Sequence, residues 1–273
     1  MTVHSADPSG GVVDAGSVTD RSNPDESNTR SVPRLRDKAL YWWSLAVAGT
    51  LLLTIAPPVL FVAWVARRHE WVYPAAQWGG STWLRLSGMR VRVKGIEHLD
   101  PARSYVFIAN HRSYLDTATI FCYLQRRIGL LAKKELLRVP VLGYGMGFVN
   151  VMAIDRSNRE RAVETTLAAT ERLRKGLSFA VFAEGTRADC DELLPFKKGG
   201  FYMAVKAGVP LVPVAIKNTD KLMGKKGGVA RRGTIEMVVL PPVETTGLST
   251  DDHVDGLVKM VHASVAAELG VRE

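Results

Sequence analysis

The chain has 273 residues, 47% hydrophobic and 23% charged, with a formal net charge of +9. That is enough for one sizeable α/β domain with appendages and too little for two full enzymatic domains. Its two cysteines, Cys122 and Cys190, form neither a paired framework nor a metal-ligand spacing, which excludes a disulfide scaffold and fits a reducing, cytoplasm-facing setting.

Residues 1–33 are rich in Ser, Asp, Gly, Asn and Thr and carry Asp7, Asp14, Asp20, Asp25 and Glu26 against Arg21 and Arg30. So few apolar side chains cannot offset the entropy of ordering, and a disordered tail over 1–37 is expected. Removing this acidic stretch leaves the rest of the chain more basic still. Such a balance admits nucleic acid, anionic lipid or phosphorylated molecules as partners.

Residues 39–66 form a run of 28 without a charge. As one helix it would be roughly 42 Å long against a hydrocarbon core of roughly 30 Å. Pro57 and Pro58 interrupt it, and consecutive prolines remove backbone donors and disfavour helix just before them. A membrane-associated segment over 38–84 is therefore expected as a bent or re-entrant helical pair. Arg34, Arg36 and Lys38 precede the run and Arg67 and Arg68 follow it, so both ends are placed on the cytoplasmic side of the cell membrane. Tyr41, Trp42, Trp43, Trp64, Trp71 and Tyr73 cluster at the edges as interfacial residues do. No cleaved secretory signal is expected, because the apolar stretch begins only near Ala39 and no clear small-residue cleavage pattern follows.

After Gly88 short apolar runs alternate with helical stretches, which predicts an α/β domain over 85–273. Strands are predicted at 91–93, 105–109, 129–131, 151–154, 179–183, 211–216 and 235–240. A helix is predicted over 159–175, with Val163, Leu167, Thr170 and Leu173 near helical spacing and a stop at Gly176. A second, over 251–269, carries Val254, Val258, Val261, Val265 and Leu269 on one side.

The strand at 105–109 runs into Asn110-His111-Arg112-Ser113-Tyr114-Leu115-Asp116, so a histidine follows a strand end, where open α/β sheets bind ligands. Five residues on an ideal helix leave two side chains about 140° apart, so a His111–Asp116 hydrogen bond needs His111 before the helix or in a distorted first turn. There Asp116 would fix the imidazole tautomer and leave the other nitrogen to take a proton from a hydroxyl. A surface turn with a helix cap would have the same spacing. Further on, the strand of Phe182-Ala183 ends in Glu184-Gly185-Thr186-Arg187. Such a loop suits phosphate, with Gly185 for close backbone approach, Thr186 as a donor and Arg187 able to hold two oxygens. A polar turn with an internal Glu–Arg pair fits equally. Phe196-Lys197-Lys198-Gly199-Gly200 adds a basic helix start.

Four blocks in order resemble the lysophospholipid acyltransferase family, typified by 1-acylglycerol-3-phosphate acyltransferase. They are 110–116, then Ala153-Ile154-Asp155-Arg156, then 182–187 continuing into 196–200, then Val209-Pro210-Leu211-Val212-Pro213-Val214. The resemblance covers roughly 85–245. It implies an acyltransferase-like α/β domain with a central, mostly seven-stranded sheet flanked by helices and preceded by the membrane segment. It implies a catalytic His111 and Asp116, acceptor binding by Arg156, Glu184, Gly185, Thr186 and Arg187, and no metal or bound cofactor. The reaction implied is transfer of a fatty acyl group from acyl-CoA or acyl carrier protein to the sn-2 hydroxyl of 1-acylglycerol-3-phosphate (lysophosphatidic acid), making phosphatidic acid. Two departures touch the acceptor side: Ala183 stands where proline usually precedes the glutamate, and Asn150 and Ala153 stand where glycine and a bulkier apolar residue are usual.

Glycerol-3-phosphate or a lyso-ornithine lipid are rival acceptors, and a catalytically silent lipid-binding protein is a rival class. Besides the substrates, membrane lipids are the expected partners. Nucleic acid is not, since the Lys and Arg pairs lack interleaved aromatic platforms. No Gly-x-Ser-x-Gly elbow is present to suggest a serine hydrolase.

Overall fold

The computed structural model describes residues 34–271 other than Arg156, Cys190 and Lys226, so the tail expected at 1–33 lies outside the described residues. The apolar run is a single 31-residue helix, Leu35–Val65, long and apolar enough to cross a membrane. It is built from α1 (Leu35–Thr50), a π turn (Leu51–Ile55) and α2 (Ala56–Val65). Pro57 and Pro58 sit in the first turn of α2 directly after the π turn. The wider turn changes the bonding pattern where proline has no N–H to give, so the helix continues where a break between two pieces was expected. The reversal comes later, at Arg67 with φ +53, and α3 (Val72–Leu86) is the returning arm. Trp83 Nε1 donates to Ser44 O at 3.0 Å, Trp43 Nε1 to Leu86 O at 3.0 Å, and the hydroxyls of Ser87 and Ser44 bond at 2.9 Å. Small residues, Ser44 and Ala63, line the buried side of this pair.

On its other side α3 is fastened to the α/β domain. Gln77 Nε2 donates to Phe121 O at 3.0 Å, and Ile128 N to the Tyr73 hydroxyl at 2.8 Å. Gly80 permits the approach, because a Cβ there would stand 2.7 Å from Cys122 Sγ. Burial pushes the Cys122 thiol up to about 12, so it stays protonated.

The strands are β1 (Met89–Lys94), β2 (Val106–Ala109), β3 (Ile128–Lys133), β4 (Val151–Ile154), β5 (Ser178–Phe182), β6 (Leu211–Lys217) and β7 (Gly233–Val239). Each lies where a strand was predicted. They form a seven-stranded sheet of order β1-β7-β6-β2-β5-β3-β4. Neighbours are parallel except β6 and β7, which are antiparallel. β2 is buried on both faces, as a wholly apolar central strand must be. Phe107 and Ala109 point to the layer holding α4 (Tyr114–Tyr123), while Val106 and Ile108 point to that of α6 (Arg159–Arg174), α7 (Gly199–Ala207) and α9 (Val254–Leu269).

α9 buries Val254, Leu257, Val261, Val265 and Ala266. In α6 the expected stripe is only half right. Ala169, Thr170 and Leu173 are buried, but Val163 and Leu167 are 50% and 46% exposed, because only the last two turns of the helix reach the core.

The C-terminal ends of β2, β3, β4, β5 and β6 share one edge of the sheet. β7 starts at that edge, so α8 (Thr219–Met223) and the loop 224–232 stay beside it, and β1 begins there too, bringing the end of α3 alongside.

Candidate active site

β2 and β5 are parallel neighbours in which Ala109 pairs with Phe182, so His111 and Glu184, each two residues further on, emerge side by side. Asn110 braces the exit of β2. Its amide clamps the Ile216 peptide of β6, accepting from Ile216 N at 2.7 Å and donating to Ile216 O at 3.0 Å. The turn then tightens before α4 begins. Ser113 is the helix cap, its hydroxyl accepting from Leu115 N at 3.2 Å while Asp116 accepts from Ser113 N at 2.7 Å.

That reciprocal cap carries the carboxylate back towards His111. Asp116 Oδ2 lies 3.0 Å from His111 Nδ1 and also accepts from Arg112 N at 2.6 Å. The contact is possible because His111 precedes the helix, as the angular argument requires. Asp116 is wholly buried whereas the His111 side chain is 18% exposed, so Nε2 is the nitrogen left to meet another molecule. The Phe182 ring stacks on the imidazole at 4.2 Å between centroids and 22° between planes.

Glu184 is placed differently from a ligand-binding group. It is 2% exposed, and its two oxygens accept from His111 N at 2.5 Å and Leu194 N at 2.9 Å. Ala188 N donates to His111 O at 2.7 Å, so both backbone polar groups of His111 are held by the 184–188 loop. Burial pushes the Glu184 carboxyl up to about 7, against the lowering by those two backbone donors. The N–H groups of His111, Arg112 and Ser113 are thus all spent on carboxylates. Donors for an oxyanion must come from elsewhere.

Gly185 has φ +70, and a Cβ there would stand 2.8 Å from Lys197 Cε. The positive φ favours glycine, whereas the flexible end of Lys197 could move aside. Thr186 is exposed. The Arg187 guanidinium lies over the Tyr114 ring, 3.8 Å from its centroid, with Nη2 3.2 Å from the hydroxyl. Its carbonyl accepts from Lys225 Nζ at 2.8 Å.

Arg112 ties the turn to the rim. Its Nε and Nη2 donate to Glu192 O at 3.0 and 2.7 Å, and its Nη1 lies 3.6 Å from Asp220 Oδ2, both side chains being buried. Ser113 Oγ donates to Met223 O at 2.5 Å.

Around the second block, Ile154 pairs with Lys133 across β4 and β3, which sets Asp155 beside Lys134. Lys134 Nζ is 2.7 Å from Asp155 Oδ2, and Ser157 N and Oγ donate to Oδ1 at 3.1 and 2.6 Å. The Lys134 ammonium and the Ser157 hydroxyl hold this carboxyl well below the usual range. Arg156 itself lies outside the described residues.

A family profile described as Acyltransferase matches residues 90–217, which contain all of these groups except those of α8 and the 224–232 loop. The 1-acyl-sn-glycerol-3-phosphate acyltransferase of Saccharomyces cerevisiae is 38% identical over 167 residues, 60% of this chain and 55% of that protein. The human 1-acyl-sn-glycerol-3-phosphate acyltransferase alpha is 37% identical over 168 residues, 61% of this chain and 59% of that protein. Over residues 90–217 the chain is similar to the acyltransferase family. Among solved structures, the 1-acyl-sn-glycerophosphate (LPA) acyltransferase of Thermotoga maritima superposes with a TM-score of 0.74 at 27% identity, covering 87% of this chain and 98% of that one. The chain spans less than two thirds of the length of the yeast and human relatives.

Of the residues expected to form the family's site, His111, Asp116, Glu184, Gly185, Thr186 and Arg187 come together at the shared ends of β2 and β5. Sequence reasoning missed the Phe182 stack, the Asn110 clamp and the Arg112–Asp220 pair. The one signal for the clamp was a polar residue closing an apolar strand.

Proposed function

We propose that this chain transfers a fatty acyl group from a thioester to the free sn-2 hydroxyl of 1-acylglycerol-3-phosphate at a membrane surface, giving phosphatidic acid. The observation that carries it is the His111–Asp116 pair, with a buried carboxylate on Nδ1 and a partly exposed ring beside a loop that ends in Arg187. Proteins named 1-acyl-sn-glycerol-3-phosphate acyltransferase are 37% and 38% identical to the chain over 168 and 167 residues, which supports this reading.

His111 Nε2 removes the proton of the acceptor hydroxyl as that oxygen attacks the thioester carbonyl carbon. The tetrahedral intermediate collapses, the carbon–sulfur bond breaks, and the leaving thiolate takes the proton back from the imidazolium. Asp116 holds the tautomer and stabilises the imidazolium. Arg187, and Arg156 by the family's pattern, bind the acceptor phosphate, while the exposed Thr186 supplies a hydroxyl donor and Gly185 the room for it. Glu184 acts one step back, as the anchor of the His111 backbone rather than as a ligand for the acceptor. Neither metal nor bound cofactor enters these steps.

The membrane is reached through the helix pair. Ala230 N donates to Asp37 O at 3.0 Å and Lys225 Nζ to Arg187 O, so one loop touches both the start of the apolar helix and the acceptor loop. At its other end the same helix meets α5 (Leu142–Met146), with Leu60 against Gly145. In this reading the helix, apolar on nearly all sides and flanked at both ends by one α/β domain, is immersed in the membrane with both ends facing the cytoplasm.

Thiol release from acyl-CoA and from acyl carrier protein, measured on adding lysophosphatidic acid to protein in detergent, tests this reading. Acceptor-dependent release lost in His111→Ala, with a raised acceptor KM in Arg187→Ala, is the expected result. Release only with glycerol-3-phosphate or a lyso-ornithine lipid would replace the acceptor, and full activity in His111→Ala would overturn the mechanism.

A further inference from the structure

Beside α2 the surface opens into a cleft of about 340 Å³ lined by Pro57, Leu60, Phe61, Trp64, Val141 and Tyr144. Every lining group is apolar or aromatic, yet Phe61, Trp64 and Tyr144 are 63%, 60% and 63% exposed, a poor arrangement in water. Trp64 is also a wall of an adjoining cavity of about 590 Å³ lined by Val65, Arg67 and His69. An apolar slot therefore runs into a mouth that carries a cation.

Two backbone features hold this shape. Val141 has φ +64, and Leu142 N donates back to Pro140 O at 2.7 Å, a tight three-residue turn that a β-branched residue adopts only under strain. Arg67, at the mouth, also has φ +53. Strained backbone of this kind clusters at ligand sites. Packing ties the two walls together, since His69 stacks on Phe148 at 5.1 Å and Phe148 meets Tyr144 at 5.3 Å. None of the lining residues belongs to the His111 site.

We propose that this slot holds one bilayer phospholipid as a fixed, unreacted ligand, an acyl chain lying between α2 and α5 and an anionic headgroup facing Arg67. The occupant follows from the wall. α2 is the second half of the apolar helix, so an opening on its flank opens onto hydrocarbon, and the charge at the mouth selects an anionic head over a zwitterionic one. The inference rests on the membrane reading given above.

Two measurements separate the two ideas. Flotation of the wild-type chain with vesicles of phosphatidylcholine and phosphatidylglycerol tests membrane binding alone, and failure to float would remove both. Native mass spectrometry in detergent, with phosphatidylglycerol or phosphatidylcholine added, tests the slot. The wild type should retain phosphatidylglycerol in preference. Leu60→Trp, which fills the slot, should abolish retention. Arg67→Asn, which keeps a residue tolerant of positive φ, should weaken it about fivefold. Tyr144→Ser opens one wall from an exposed position and serves if the tryptophan variant does not fold. Flotation with retention unchanged in the wall variants, or equal retention of both lipids by the wild type, would overturn the proposal.

Discussion

In the turn at 110–116 three successive backbone N–H groups are taken by buried carboxylates, and the imidazole is the reactive group left accessible. Along Leu35–Val65 the backbone closes on itself, and only 6% of the most apolar 18-residue window is buried in the protein. Both regions are tightly specified, by opposite means. The turn is fixed because its polar groups have no water to fall back on, so each must find its one partner. Beyond Lys38 the helix can face hydrocarbon because it has almost no polar side chains left to satisfy.

The sharpest way to break this contrast is His111→Ala. It should lower kcat by about 10²–10⁴ with little change in Tm, because the frame is built from the backbone of the turn and not from the ring. A large loss of Tm would mean that the ring itself holds the turn. On the helix side, Leu53→Asp places a charge on a 63% exposed apolar position and should weaken vesicle binding by about 3 kcal/mol. Detergent-phase kcat should be unchanged, and an unaltered vesicle affinity would show that this side of the helix does not enter the bilayer.

Glu184→Gln sharpens the account of the turn. An amide can accept only one of the two N–H bonds, so denaturant unfolding should show a loss of about 1–3 kcal/mol at neutral pH, offset in part by relief of the buried charge. The pH dependence has a definite sign. Glu184 titrates near its ordinary value of 4.5 when unfolded and at about 7 when folded. Between those values the folded chain holds the extra proton, so this group's contribution to stability falls as pH rises through the window and is level above it. The Gln variant should lack that fall. The smallest effect is expected for Phe182→Leu, where loss of the ring stack should cost about 1 kcal/mol, read as a lower kcat or a looser His111 ring in NMR spectra.

The seven strands and the His–Asp turn were legible because period and position along the chain carry them. The short apolar runs at 151–154 and 105–109 need no knowledge of partners. The prolines at 57 and 58 misled because a π turn, invisible in composition, absorbs them. Val163 and Leu167 misled because helical spacing reports a stripe but not how far along the helix the core extends. Glu184 read as a ligand because a carboxylate in a polar loop looks the same whether it faces solvent or two backbone donors. The block pattern carried the family resemblance; the partners of Glu184, Arg112 and Phe182 needed three dimensions.

The antiparallel meeting of β6 and β7 has one more effect. A parallel connection would have carried the chain to the far edge of the sheet, whereas this reversal returns it at once and keeps α8 and the loop after it as a doorway at the site, anchored in the core by Leu222, Met223 and Ala230. Asp220, Met223 and Lys225 reach the reactive turn and the acceptor loop from there, and Asp37 meets it from the membrane side. Changes at the exposed Lys225, Gly227 and Gly228 can redraw the entrance without shifting the register of any strand, while the buried anchors keep the doorway in place.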